Sequence, residues 1–74
     1  MFYSVIRIFF KGDAETHSVQ KFDTLADAQK RYFNIIAADL ADGTITYQSA
    51  YIIDSTGLMV EGRVFDRAVT ETEA

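Results

Sequence analysis

The segment that most constrains this chain is its opening run, Phe2-Tyr3-Ser4-Val5-Ile6-Arg7-Ile8-Phe9-Phe10, because as a strand it is apolar on both faces. Side chains alternate along a strand, so Ser4, Ile6, Ile8 and Phe10 point one way and Tyr3, Val5, Arg7 and Phe9 the other. A sheet covered on one side only shows clean apolar/polar alternation. Here both faces need a cover. At 74 residues the chain is one domain near the lower size limit for a single core. Domains this small add disulfides, metals or self-association. The absence of cysteine removes disulfides and thiolate metal sites, and the single histidine, His17, would leave a metal to carboxylates. Oligomerisation remains, and a twofold homodimer is the commonest closed form.

The rest of the chain reads as strand, helix, strand, strand. Lys11-Gly12-Asp13-Ala14-Glu15 is a turn signal, and the weakly alternating, polar stretch 16–22 is expected to be an edge strand. Thr24 is placed to cap a helix by accepting from the backbone at Asp27, whose charge suits the positive helix end. The helix runs to about Ala41, where Asp42-Gly43 supplies a stop, with Gly43 suited to a left-handed cap. Asp27, Lys30, Arg31, Asn34 and Ala38 form a polar stripe, and Leu25, Tyr32, Phe33, Ile36 and Leu40 the apolar face, with Ile35 at its rim. Residues 44–53 are rich in β-branched and aromatic side chains, Asp54-Ser55-Thr56-Gly57 is a tight turn, and residues 58–65 alternate as a final strand. The expectation is an α+β fold, a two-layer ββαββ domain over residues 1–66 with a four-stranded antiparallel sheet and one helix on one face. An acidic tail follows at 67–74.

The helix is expected over the side carrying Ile6, Ile8, Phe10, Val60 and Val64, with Gly62 admitting it closely. That leaves Tyr3, Val5, Arg7, Phe9, Met59, Arg63 and Phe65 as an open face beside Glu61. Apolar patches of this kind mark interaction sites. Aromatics with arginine are what protein interfaces enrich. The same mixture could stack a nucleobase and hold phosphate, with Arg7, Arg31, Arg63 or Lys11 on the phosphate and Tyr47 or Tyr51 on the base.

The acids lie mostly in turns and caps. Asp39 is the exception, on the flank of the apolar helix face, where an arginine or a backbone donor could meet it. No serine or aspartate spacing around His17 suggests a triad, no acid–base pair stands out, and the Asp54–Gly57 turn lacks calcium-loop spacing. No enzyme activity, metal or cofactor is therefore expected. A formal charge of −4 with a pI near 4.6 argues against binding along a nucleic-acid backbone. It suits solubility or a basic protein partner. No apolar run is long enough for a membrane span, and with no leader pattern a cytoplasmic protein is expected.

Three segments together, F-Y-S-V-I-R-I-F-F, D-A-Q-K-R-Y-F-N-I-I-A-A-D-L-A-D and I-I-D-S-T-G-L-M-V, resemble short uncharacterised phage and prophage reading frames of gut and related Gram-positive bacteria. The resemblance spans residues 1–66 and rests on a hairpin, a Tyr-Phe-bearing helix and a D-x-x-G turn. It carries no functional residues over. Small accessory genes of such elements often encode inhibitors of host defence, such as anti-CRISPR proteins or sponges for nucleotide signals. The resemblance thus implies a binding protein that occupies a basic site on a host protein. The alternative is an oligomer that sequesters a nucleotide-like ligand between subunits.

Overall fold

The computed structural model describes residues 1–66, and the tail expected at 67–74 lies outside them. Strands β1 (Tyr3–Lys11), β2 (Ala14–Phe22), β3 (Tyr47–Asp54) and β4 (Met59–Asp66) surround a single helix, α1 (Leu25–Ala41), in the order ββαββ. They form one open antiparallel sheet in the order β2-β1-β3-β4, an α+β architecture. β1 and β3 are central, and the polar β2 is an edge, as its composition predicts.

Local chemistry accounts for each junction. Lys11 pairs with Ala14 across a two-residue loop in which Gly12 takes φ 61°, a conformation side-chain-bearing residues rarely adopt. The Thr24 hydroxyl accepts from the Asp27 amide at 3.2 Å and opens the helix. The helix does not end on a left-handed glycine. Gly43 lacks a positive φ, and the cap is Asp42 in an extended conformation, its amide donating to Ala38 at 3.1 Å. The Asp42 carboxylate then accepts from the backbone amide and hydroxyl of Thr44, an Asx-type turn that redirects the chain into β3. A second such turn at Asp54, with Gly57 at φ 92°, closes the last hairpin.

The core lies between α1 and the sheet face carrying Val5, Ala50 and Ile52, which meets Ala28, Tyr32, Ile35 and Ile36 of the helix. Fully burying each large apolar side chain contributes about 1.5–3 kcal/mol. This corrects the expected layering. The helix covers the Tyr3, Val5, Arg7 and Phe9 side of β1, and the Ile6, Ile8 and Phe10 side is the open one. Arg7 decides the matter physically: its guanidinium forms a bidentate pair with Asp39, whose side chain is 1% exposed, and lies 4.3 Å from the Phe9 ring centre. A carboxylate carried inward by the helix requires the arginine on the same side of the sheet. The small Ala50, at 0% exposure, also lets the helix settle on this face.

The helix is correspondingly rotated from the face its periodicity suggests. Ile35, placed at the rim, is in the core, whereas Phe33 and Leu40 are about half exposed. Strict alternation also fails in β4. Ile52 pairs with Glu61 and Ile53 with Met59, so Val60 is an extra residue, a β-bulge. Met59 consequently leaves the Glu61, Arg63 and Phe65 side and joins the open face.

Candidate functional site

The open sheet face is the candidate site, and the strand register gives its layout. From β2 to β4, Glu15, Phe10, Tyr47 and Asp66 form one row, and His17, Ile8, Ser49 and Val64 the next. Val19, Ile6, Tyr51 and Gly62 form the third, and Lys21, Ser4, Ile53 and Met59 the fourth. Among the described residues, no element of the chain lies over these rows. The middle of the face is apolar and aromatic, and its charges sit at the margins.

The first row is the most structured. The Phe10 and Tyr47 rings meet edge to face at 5.3 Å, between Glu15 on one flank and Asp66 on the other. Glu15 contacts the His17 imidazole at 2.5 Å. At the opposite corner Lys21 lies 4.8 Å from the Phe2 ring centre. Val19, Met59 and Val64 are more than half exposed. In the centre Ser49 is fully buried among these larger neighbours, its hydroxyl without a partner. Gly62 has no room for a side chain on this face: a Cβ there would stand 2.7 Å from the Met59 sulfur and 2.9 Å from the Tyr51 ring. The glycine therefore admits Met59 and Tyr51, rather than the helix.

The residues expected to bind a ligand are not brought together. Tyr47 and Tyr51 are on the open face, Arg7 and Arg63 on the helix side, and Arg31 on the helix itself, beside Phe22, Asp27 and Asn34. Alternation along β1, β3 and β4 separates the tyrosines from both strand arginines. Arg7 is moreover held by Asp39. The expected interface set divides likewise: Met59 is on the open face, Val5 is in the core at 1% exposure, and Tyr3, Arg7, Phe9, Arg63 and Phe65 line the helix side. Ile6, Ile8, Phe10 and Val64 take their place on the open surface.

The perturbed ionisable groups serve local structure. The Thr44 hydroxyl and amide, with Lys11, hold Asp42 down at about 2. The Thr56 hydroxyl, backed by turn amides, lowers Asp54. Burial raises Tyr32, assisted by the charge of Glu61 and opposed by Arg63. Among the described residues no group of three or more histidines or acids is arranged to hold a metal ion, and no helix is long and apolar enough to cross a membrane. No family model, no curated protein and no solved structure matches the chain. What this site offers chemically is a firm apolar and aromatic surface with carboxylates at one end.

Proposed function

We propose that this chain is a non-catalytic binding protein that acts by occupying a basic site on a partner protein. This is the mode of action of a phage-encoded inhibitor of a host defence protein. The observation that carries the proposal is the first row of the open face, where Phe10 and Tyr47 stand between Glu15 and Asp66. Aromatic anchors in an apolar field are the usual centre of a protein interface. Flanking carboxylates in a chain of net charge −4 favour a partner whose apolar contact surface is bordered by lysine or arginine. Nucleotide capture by one subunit draws no such support, since its candidate arginines and tyrosines lie on different sides of the sheet.

The test compares immobilised wild type with Ile8→Glu, which sets a charge in the middle of the open face without touching the core under the helix. Bound proteins from bacterial lysate are identified, and the recovered partner is purified and titrated. The expected result is a basic protein, retained by wild type, lost with Ile8→Glu, and bound less tightly as salt rises. A partner that binds wild type and a folded Ile8→Glu equally well overturns the proposal, and so does retention that strengthens with salt.

A further inference from the structure

The outer edge of β4 around Gly62 is a second candidate surface, and its charges have a register of their own. The helix lies over β1 and β3, and β4 extends past it, held from above at Glu61, which accepts a 2.9 Å hydrogen bond from Gln29. β4 is the last strand of the sheet, and among the described residues no strand pairs with its outer side from Val60 to Val64. Val60 and Val64 are 38% and 55% exposed, and a shallow depression runs along the strand beside them. Long edges with apolar side chains invite another strand unless something blocks them.

We propose that a second copy of this chain pairs with β4 antiparallel about Gly62, joining two sheets into one of eight strands. Directly opposed residues of an antiparallel pair point to the same side. A twofold axis perpendicular to the sheet must therefore lie midway between a residue and its own copy, and is named below by that residue. With the axis at Glu61 or at Arg63, that charge faces its own copy. With the axis at Val64, Arg63 faces Phe65 and Gly62 faces Asp66. Only with the axis at Gly62 does Glu61 of each copy stand opposite Arg63 of the other, two attractive pairs on the helix side of the sheet. The same register brings Val60 towards Val64 of the second copy. Gly62 itself places no side chain on the axis, and the space beside it is already filled by Met59 and Tyr51.

The other edge is less suited. Pairing of β2 about Ser18 would likewise set Glu15 against Lys21, but Thr16, His17, Ser18 and Gln20 between them are exposed and polar. β2 also contributes one exposed valine, Val19. The β4 pairing leaves the open face uncovered, and nothing in it depends on the partner proposed above.

Charge reversal tests the register. Glu61→Arg gives a strand with arginine at both positions, and Arg63→Glu one with glutamate at both. Each converts two attractive cross-strand pairs into two repulsive ones, which weakens self-association by roughly tenfold or more. Sedimentation equilibrium should find wild type dimeric, each reversal shifted to monomer, and an equimolar mixture of the two reversals dimeric again. The double variant Glu61→Arg/Arg63→Glu should dimerise like wild type. Circular dichroism of each reversal separates lost pairing from lost folding, and recovery in the mixture needs both chains folded. A wild type monomeric at several hundred micromolar overturns the proposal. So does a dimer indifferent to either reversal, or a mixture of folded reversals that stays monomeric; loss of the dimer with Lys21→Glu instead would assign it to β2.

Discussion

Replacing Arg7 with Met should cost the fold more than replacing Asp39 with Leu, although the two side chains form one pair. Asp39 is 1% exposed and Arg7 25%, so the two changes leave different orphans. Without Arg7, a buried carboxylate stays under the helix, and breaking a buried pair from this direction costs about 3–5 kcal/mol. Without Asp39, the guanidinium still has solvent on one side and the Phe9 ring on the other, and the cost falls to about 1–3 kcal/mol. With 66 described residues, the total stability is about 3–10 kcal/mol, so the first change alone can unfold much of the population. The double variant removes both charges and should return close to wild type, giving a coupling about as large as the two single costs together, roughly 4–8 kcal/mol. Urea unfolding followed by circular dichroism resolves this. At about 1 kcal/mol per molar urea, 3 kcal/mol moves the midpoint by about 3 M. Equal costs for the two single changes, or a double variant as unstable as their sum, would refute the reasoning.

Gln48 is fully buried and neither atom of its amide has a partner, so Gln48→Leu should raise stability by about 1–3 kcal/mol in the same urea assay. Gly57→Ala, at φ 92° with open space around the added methyl, should lower stability by about 1–2 kcal/mol through backbone strain alone. Gly43→Ala, without a positive φ and equally unobstructed, should be neutral or stabilising by up to about 1 kcal/mol, which distinguishes the observed Asp42 cap from a left-handed glycine cap. Because the folded state lowers Asp42 from 3.8 to about 2, its contribution to stability is complete above the ordinary value and is lost as pH falls through 2. A carboxyl NMR titration should place the midpoint there in wild type and higher in Thr44→Val.

Element order was legible because each junction carries its own chemistry: Gly12 at the first hairpin, Thr24 at the helix start, Asp54 to Gly57 at the last turn. The layering was not, because β1 has large apolar groups on both sides and periodicity alone cannot rank them. The deciding signal was in the sequence but lay between two elements. Asp39 stands beside the apolar helix face and needs a cation, and Arg7, in the middle of β1, can supply it only from the helix side. Following that pair would have assigned the faces correctly and moved Ile6, Ile8 and Phe10 to the surface. The bulge at Val60 left no such trace. One extra residue in a strand does not alter composition, and it carried Met59 to the opposite face.

The strand order also bears on how the chain reaches this structure. The β1–β2 and β3–β4 hairpins close over short turns, so each can form on its own in microseconds. The centre of the sheet joins partners as remote as Tyr3 and Asp54, with the whole helix between them. Bringing such distant segments together costs loop entropy before any contact offsets it, and that cost dominates folding times in sheet proteins. Assembly of the two hairpins beneath the helix is thus the slow event. Val5, Ala50 and Ile52 gain their packing there, and substitutions at these positions act on the folding rate, whereas changes in the outer turns act chiefly on unfolding.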